Sequence, residues 1–377
     1  PRPSPRPPPD PDRINFFIIL HLAIRYTSAV VEEDKVWLFA PDLSILCVMN
    51  KNTKKIRYVA DFGNGREDTF FLYYGIIKAG DCIYAYPCAE KAEELAIYDT
   101  LQDKVEFKKI RWGRNDWKRA NHKIVAAYVF HDFLYLIGQN LPIIIKINLQ
   151  NFEQQIFELG ITFEMWKNIE RIGNKLLIPS RDSRMLVVFD VESDMFELKE
   201  LPINEEGAVI IKHCGEQLFV VPTDARAIYE INMKKRTINK KYMISDIKEF
   251  YYTKYAFYSL FIKKDFVYLF PYETNMIVKI NRLTGKAESV WIDSKAKNYR
   301  YFNCWEWDEN YIAGCYSYNG ESFDLYDMET GQLEQYPYAP PENIEKYWIK
   351  RRSEGHNEKP DESRLGLRGF IKLILAE

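Results

Sequence analysis

The stretch Phe266-Val-Tyr-Leu-Phe-Pro-Tyr-Glu-Thr-Asn-Met-Ile-Val-Lys-Ile-Asn-Arg-Leu-Thr-Gly-Lys286 contains the pattern that decides the fold of the chain. An apolar run ends at Pro271, a polar loop follows, and a second apolar run ends at Asn281 before the next turn. Short apolar runs bounded by Pro, Asn and Gly are typical of strands joined by tight connections. The stretch therefore predicts a strand, a turn, a second strand and a second turn.

This pattern recurs seven times along the chain. Each copy opens with an apolar strand and a tight turn, and the second turn residues are separated by 47, 51, 42, 42, 49 and 45 positions. The predicted turns are Glu33-Asp34, Gly80-Asp81, His131-Asp132, Gly173-Asn174, Gly215-Glu216, Lys264-Asp265 and Glu309-Asn310. Gly, Asn and Asp suit two-residue hairpin turns because they tolerate positive φ.

The later strands of each copy also end at characteristic residues. The second strand commonly ends at a Pro, which has no N–H with which to continue a ladder. The third strand ends at Asn50, Asp99, Asn148, Asp190, Asn232, Asn281 and Asp327 in the seven copies. A short side chain with an oxygen acceptor can bind the backbone two residues further on and so start a turn. A fourth strand follows, as at Met195–Leu201.

Four antiparallel strands in each 42- to 51-residue copy match one blade of a β-propeller. On these repeats the chain resembles the broad β-propeller superfamily, in the manner of kelch, YVTN and tryptophan–aspartate repeats. The resemblance covers about residues 28–338. It lacks the kelch Gly-Gly pair and a regular Trp-Asp ending, so it assigns no subfamily and carries over no ligand or catalytic residue. We predict an all-β, seven-bladed β-propeller of four-stranded antiparallel blades.

The chain divides into three predicted regions. Residues 1–27 form a Pro-rich disordered tail and an apolar lead-in, residues 28–338 form the propeller, and residues 339–377 form an extension with a helix over 361–376. The Pro-rich segment is either a disordered tail or an SH3-type ligand. Because the seventh copy has its own fourth strand, the ring closes either by packing of the last blade on the first or by an edge strand at Phe16–Leu20.

Composition excludes several classes of function. The 52 Lys and Arg nearly balance the 54 Asp and Glu, so the basic excess that attracts nucleic acid is missing. The five His residues show no ligand spacing, and no nucleotide-binding or hydrolase motif is present, so we expect no metal, no cofactor and no catalytic residue. Six Cys without a CxxC pair and no long apolar run predict a cytoplasmic protein without a membrane span, and we expect a monomer.

The segment Arg111–Arg119 is the first candidate binding site. Arg111, Trp112, Arg114 and Trp117 interleave guanidinium groups with indole rings, which can stack on flat groups and bind carboxylate or phosphate. The alternative is a long loop between blades whose Trp side chains are buried, and the usual burial of Trp favours it.

Other candidates come from the loops that join the second and third strands, which meet on one face of a propeller. They are Arg181, Asp182, Arg184, Asp224, Arg226, Tyr272, Glu273 and Tyr316. Opposite charges within one short loop form either surface ion pairs of small value or ligand contacts. The aromatic segment Phe250–Tyr258 is either part of a binding surface or the start of an inner strand.

Three functions remain open from the sequence. The leading one is a non-catalytic interaction scaffold that binds a protein or an extended polar ligand, such as a glycan, on the loop-rich face around the central channel. The alternative is a carbohydrate-active hydrolase or lyase, whose acids would come from Asp42, Glu67, Asp182, Asp224 and Glu273. The third is a sensor or scaffold that uses the basic C-terminal helix to hold a partner.

One local prediction concerns Cys304 and Cys315. If Glu309-Asn310 is a two-residue turn, these two residues lie directly opposite each other in one hairpin, with Cβ atoms about 4.5–5.5 Å apart. A one-residue change of register would place them on opposite faces of the sheet.

Overall fold

The structure is a computed structural model that describes residues 24–63, 71–244, 253–274, 276–292, 301–316 and 322–347. The Pro-rich segment, the proposed edge strand Phe16–Leu20 and the predicted helix over 361–376 lie outside these residues. The described residues form seven four-stranded sheets, in each of which consecutive strands are antiparallel neighbours. This is the predicted seven-bladed β-propeller.

Blades 1 to 3 follow one another along the chain. Blade 1 contains β1 (Ser28–Val31), β2 (Lys35–Ala40), β3 (Ile45–Asn50) and β4 (Ile56–Asp61). Blade 2 contains β5 (Tyr73–Ala79), β6 (Cys82–Pro87), β7 (Glu94–Asp99) and β8 (Lys104–Lys109). After the short helix α1 (Asn115–Lys118), blade 3 contains β9 (Ile124–Phe130), β10 (Phe133–Gly138), β11 (Ile143–Asn148) and β12 (Gln154–Glu158).

Blades 4 to 7 repeat the arrangement. Blade 4 contains β13 (Glu170–Ile172), β14 (Lys175–Pro179), β15 (Met185–Asp190) and β16 (Met195–Glu200), and blade 5 contains β17 (Ala208–Cys214), β18 (Gln217–Pro222), β19 (Ala227–Asn232) and β20 (Thr237–Met243). Blade 6 contains β21 (Phe257–Lys263), β22 (Phe266–Pro271), β23 (Met276–Asn281) and β24 (Ala287–Trp291), and blade 7 contains β25 (Tyr301–Glu306), β26 (Tyr311–Tyr316), β27 (Ser322–Asp327) and β28 (Leu333–Pro337).

The core lies between the blades. The buried side chains form seven apolar clusters, one at each interface between neighbouring blades. Second and third strands such as β22 and β27 are almost wholly buried because both faces of the sheet are covered, whereas β8 and β16 at the rim are largely exposed. First strands face the axis, since β1 packs on β5, β17 on β21, β21 on β25, and β25 on β1.

The tight turns follow the predicted register in six blades. In blade 2, Ala79 pairs with Cys82 across Gly80-Asp81, and in blade 3, Phe130 pairs with Phe133 across His131-Asp132. The first turn residue has positive φ in both, 55° at Gly80 and 50° at His131. The first turn residue is left-handed in blades 2 to 6, a conformation that Gly adopts most readily, whereas Glu33 in blade 1 does not have positive φ.

The turn of blade 7 differs from the prediction. The backbone N–H groups of Asn310 and Tyr311 both donate to Asp308 Oδ1, and Trp307 N donates to the carbonyl oxygen of Tyr311, which makes a three-residue turn. The register consequently pairs Asn303 with Cys315 and Cys304 with Gly314. The predicted direct opposition of Cys304 and Cys315 is therefore wrong by one residue.

The Asn or Asp at the end of each third strand has the predicted role in every blade. The side-chain oxygen of Asn281 accepts the backbone N–H groups of Leu283 and Thr284, each at 2.9 Å. The equivalent two bonds form at Asn50, Asp99, Asn148, Asp190 and Asp327. Asn232 accepts one, from the backbone N–H of Lys235 at 2.8 Å. Because amide and carboxylate both serve, the position requires an acceptor oxygen rather than an acid.

The ring closes through contacts between blades 1 and 7. Residue Glu342, beyond the last strand, pairs with the outer strand of blade 1: its N–H donates to Ile56 O at 2.8 Å, and its carbonyl oxygen accepts Tyr58 N–H at 2.9 Å. Tyr347 packs on Tyr58, with ring centroids 6.0 Å apart. Lys54 of blade 1 lies 4.2 Å from the Trp307 ring centroid of blade 7. The packing between blades 1 and 7 that the sequence predicts is therefore present and is reinforced by backbone pairing, while the alternative edge strand at Phe16–Leu20 lies outside the described residues.

The acceptor role of Asn281 can be tested by substitution. We expect Asn281→Ala to lower the free energy of unfolding by about 1 kcal/mol, because a typical hydrogen bond contributes about 0.5–1.5 kcal/mol. Asn281→Asp should stay within about 0.5 kcal/mol of the wild type, since the acceptor is kept. Urea unfolding measures both, and equal losses in the two variants would contradict the role.

The pairing at Glu342 gives a second test. Glu342→Pro removes the N–H that binds Ile56 O, and we expect a loss of about 1–3 kcal/mol because a carbonyl group then lacks its partner. Glu342→Ala keeps the backbone bonds and removes only the exposed ion pair with Lys55, at 3.4 Å, so it should change stability by less than about 0.5 kcal/mol. The comparison uses the midpoint of chemical unfolding, and two unchanged midpoints would show that the pairing contributes nothing.

Candidate functional site

The irregular loops of the propeller open on one face. Because the strands of each blade alternate in direction, the loops from second to third strands and from each fourth strand to the next blade share this side. We call it the loop-rich face. All twelve candidate residues from the sequence belong to it by their position in the chain. Tyr316 ends β26, and its side chain lies outside the described part of the structure.

The loop after β8 has buried indoles and exposed guanidinium groups. Trp112 and Trp117 are only 1% and 6% exposed and pack into the apolar cluster between blades 2 and 3. The buried Lys123 lies 4.7 Å from the Trp112 ring centroid and donates to the carbonyl oxygens of Glu90 and Ala92 at 2.6 and 3.0 Å. The buried interpretation of the two Trp residues is therefore the one that the packing favours.

The Arg side chains of this loop remain at the surface. Arg111 is exposed and donates its backbone N–H to Gln154. Arg114 stacks on Trp117 at 5.1 Å and pairs with Asp116 at 3.1 Å. Beside them is an open pocket of ≈ 760 Å³. It is lined by Glu90, Lys91, Glu93, Asp116, Lys118 and Arg119. The loop therefore presents charges of both signs on a rigid aromatic base.

The blade 4 candidates separate into two positions. Arg181 stacks on Trp166 at 5.1 Å and pairs with Glu164. Asp182 accepts Ser180 Oγ–H at 2.8 Å and the backbone N–H of Glu164 at 3.0 Å, so it fixes the loop that precedes β13. Arg184 instead pairs with Glu200 on the outer strand at 2.6 Å. The structure thus brings Arg181 and Asp182 to the centre of the face and leaves Arg184 towards the rim.

The remaining candidates lie in blades 5 and 6. Asp224 and Arg226 pair with each other at 3.4 Å and are well exposed, as expected of a surface ion pair. Tyr272 stacks on Tyr258 with ring centroids 3.6 Å apart. Glu273 exchanges backbone and side-chain hydrogen bonds with Tyr255, at 3.2 and 3.4 Å. Tyr272 therefore belongs to a group of aromatic side chains at the channel, and Glu273 is bonded to the backbone beside it.

One position, at or shortly before the start of the first strand, is equivalent in all seven blades. In six blades it stands seven positions before the second turn residue, and in blade 7, with its longer turn, it is Phe302. The set comprises Thr27, Tyr74, Val125, Lys167, Val209, Tyr258 and Phe302. Aligning the repeats on their turns identifies this position, whereas the candidates predicted from the sequence are loop residues and do not include Lys167, Tyr74 or Phe302.

The three aromatic members of this set form a connected cluster with Tyr272. Phe302 lies 6.0 Å from Tyr74 and 6.2 Å from Tyr272, measured between ring centroids, and Tyr272 stacks on Tyr258. We call Tyr74, Tyr258, Tyr272 and Phe302 the mouth cluster. Burial, helped by neighbouring phenols, raises the pKa values of Tyr258 and Tyr74 well above the ordinary Tyr value. Both hydroxyl groups therefore stay protonated at neutral pH.

The loop before β13 crosses the channel mouth. Lys167 Nζ lies 4.6 and 4.5 Å from the ring centroids of Tyr258 and Phe302 and donates to the carbonyl oxygen of Phe302 at 2.8 Å. Asn168 Nδ2 donates to the carbonyl oxygens of Val209 and Tyr258 at 2.6 and 3.0 Å. A loop of blade 4 thus supplies donors to the first strands of blades 5, 6 and 7.

The groups that could perform chemistry on this face are engaged in other contacts. Asp42 is 5% exposed and pairs with Arg25 at 2.5 Å. Asp182, Asp224 and Glu273 make the contacts described above with Ser180, Arg226 and Tyr255. Glu67 lies outside the described residues. Cys88 Sγ is 3.8 Å from His122 Nδ1, but burial raises the pKa of this thiol to about 12, so it is not a thiolate at neutral pH. Among the described residues, no group of three or more His, Cys, Asp or Glu could hold a metal ion.

Comparison with known proteins supports the fold alone. No protein-family model and no curated protein matches the chain. A catalytically inactive virginiamycin B lyase from Staphylococcus aureus, in a crystal structure with quinupristin, is similar with a TM-score of 0.58 and 13% identity, over 83% of this chain and 94% of the lyase. The computationally designed Ika8 protein gives 0.58 and 10%, over 85% and 89%, and KlHsv2 with a replaced loop gives 0.51 and 8%, over 83% and 97%.

These neighbours leave the activity open, because identities of this size reflect a shared architecture. A lyase and a designed protein have the same TM-score to this chain, 0.58. No helix in the described residues is sufficiently long and apolar to span a membrane.

The different environments of Trp112 and Arg114 give a stability test. Trp112→Ala should lower the free energy of unfolding by about 3–5 kcal/mol, because it removes a buried indole between two blades. Arg114→Ala should change it by less than about 0.5 kcal/mol, since the side chain is exposed. Chemical unfolding of both variants measures this difference, and a small effect of Trp112→Ala would show that the indole does not support the fold.

Proposed function

We propose that this protein is a non-catalytic binding propeller that receives a protein partner or an extended polar ligand, such as a glycan, on its loop-rich face. The observation that carries the proposal is the mouth cluster, whose rings Tyr74, Tyr272 and Phe302 are only partly buried and lie at the centre of this face. Partly exposed Tyr rings combine a large apolar area with a polar tip, as binding surfaces require.

The surroundings of the cluster favour binding over catalysis. The acids that a hydrolase or lyase would use are held by structural partners: Asp42 by Arg25, Asp182 by Ser180 and Glu273 by the backbone of Tyr255. A general acid or base needs to reach a substrate proton, and a carboxylate that stabilises a loop is poorly placed to do so.

The exposed Arg114 and Arg119 give the same face a second contact region. Both flank α1, and Arg114 stacks on the buried Trp117 at 5.1 Å. Guanidinium groups held on a rigid base lose little freedom on binding, so they suit contacts with carboxylates of a partner. The nearly balanced net charge of −2 gives no general attraction to nucleic acid. We take the protein to act as a monomer in the cytoplasm.

The proposal is tested with Tyr272→Ala and a matched control, Leu283→Ala, which removes a 71%-exposed side chain from a turn on the opposite face. We expect a ligand found in a glycan panel, or a co-purified partner, to bind the control as it binds the wild type. Its affinity for Tyr272→Ala should fall about tenfold or more, as for other central aromatic contacts.

The same experiment also examines catalysis. Product formation from a bound glycan by the wild-type protein, abolished by Asp182→Asn or Glu273→Gln, would contradict the proposal and establish an enzyme. Equal binding by Tyr272→Ala and the wild type would exclude the mouth cluster as the contact surface.

A further inference from the structure

We propose that the mouth cluster is a binding site for an alkylammonium group, that Lys167 occupies this site within the same chain, and that the ligand enters by displacing Lys167. This inference refines the proposed function, because it names the chemistry of the ligand. Its test uses a small ammonium ion, and therefore its outcome does not depend on whether the natural ligand is known.

The first step is the geometry around Lys167 Nζ. Its distances to two ring centroids, Tyr258 at 4.6 Å and Phe302 at 4.5 Å, are within the range of favourable cation–π contacts. The carbonyl oxygen of Phe302 accepts a hydrogen bond from the same nitrogen at 2.8 Å. Two ring faces and a carbonyl oxygen, each with partial negative charge, therefore surround one ammonium group.

The second step is the rigidity of these rings. Tyr258 is 6% exposed and is held by parallel stacking on Tyr272, and Phe302 is held between Tyr74 and Tyr272. All four rings come from blades 2, 6 and 7, whereas Lys167 comes from blade 4. The receptor and its occupant thus belong to separate parts of the chain, and Lys167 can leave without removing a ring.

The third step is access from solvent. Lys167, Tyr272, Phe302 and Tyr74 are all partly exposed. Lys167 also lies in a loop rather than in a strand, because β13 begins only at Glu170 and has three residues. A group in a loop over a partly exposed site can exchange with a ligand at the cost of local rearrangement alone.

The fourth step is the charge around the site. Near the channel two other cations stack on aromatic rings, Arg181 on Trp166 at 5.1 Å and Lys254 on Tyr255 at 5.7 Å. Arg181 is neutralised by Glu164, and the carboxylate of Glu273 lies beside Tyr255. The rings near the channel therefore accept cations repeatedly. The mouth cluster offers one cation two rings and an acceptor oxygen, whereas Arg181 and Lys254 each stack on one ring.

The occupant in the same chain lowers the apparent affinity for a free ligand. A site that is open for only a fraction of the time binds with its intrinsic affinity multiplied by that fraction. If Lys167 occupies the site about 90% of the time, its removal strengthens binding about tenfold. The proposal therefore predicts a gain of binding, which a merely damaged protein would not show.

The experiment compares the wild type with Lys167→Ala in ligand-observed NMR titrations with n-butylammonium, using n-butanol as the neutral probe of the same shape. We expect n-butylammonium to bind Lys167→Ala about tenfold or more tightly than the wild type and n-butanol to bind neither. The thermal unfolding midpoint of Lys167→Ala should also rise with n-butylammonium and not with n-butanol.

Three further variants make the result specific. Lys167→Gln keeps a polar side chain on the loop but removes the cation from the two ring faces, so it should also bind n-butylammonium more tightly than the wild type if Lys167→Ala folds poorly. Lys254→Ala removes another stacked cation and should leave binding at the wild-type level. Phe302→Leu, combined with Lys167→Ala, should abolish most of the gain because one ring face is lost.

A pentapeptide with one central Lys between glycines distinguishes the source of the ammonium group. Tighter binding of this peptide than of n-butylammonium to Lys167→Ala identifies a lysine side chain of a protein partner, whereas equal binding identifies a small free ammonium compound. No gain in either Lys167 variant, or an equal gain for n-butanol, would overturn the inference while leaving the binding function of the face to the Tyr272 experiment.

Discussion

The burial of both faces of every blade is the constraint on which this structure depends. Each sheet lies between two others, and each of the seven interfaces contains its own apolar cluster. Second strands are therefore apolar on both sides, which produces the near-continuous runs of β2, β10 and β22. Third strands also bury the acids Glu230 and Asp324, each of which accepts a Tyr hydroxyl. Most polar side chains consequently lie at the rim, the turns and the axis. The backbone groups that need hydrogen-bond partners differ between these places.

At the turns, the side chain that binds the backbone comes from the same turn and recurs in every blade. At the axis, the side chains that bind the backbone come from blade 4. Asn281 and its six counterparts bind backbone N–H groups two or three residues ahead. Near the axis, the carbonyl oxygens of Val209, Tyr258 and Phe302 receive donors from Asn168 and Lys167. Blade 4 can supply them because its first strand has three residues, whereas β17 and β21 have seven each.

The sequence predicted what local patterns control. The blade count, six of the seven tight turns and the capping oxygens follow from residues within a few positions of each other. The seventh turn was misjudged because Asp308 accepts two backbone N–H groups and so extends the turn by one residue. Among the residues at the channel mouth, Arg181 and Tyr272 are candidates predicted from the sequence, whereas Lys167 is not. Its acceptor at Phe302 is 135 residues away, and neither periodicity nor composition carries information about such a contact.

The contacts at the rim and at the axis are connected through blade 7. At the rim, Glu342 and Lys54 connect the two ends of the propeller. At the axis, Lys167 joins blade 4 to Phe302 of blade 7 across the ring. Hydrogen bonds and packing contacts therefore connect the blades both around the circumference of the ring and across its centre. A ligand that takes the place of Lys167 removes the hydrogen bond to Phe302 across the centre. The ring stays closed at its circumference, because the bonds at Glu342 do not involve the mouth cluster. The fold can therefore tolerate exchange at its centre, since the closure of the ring is secured elsewhere.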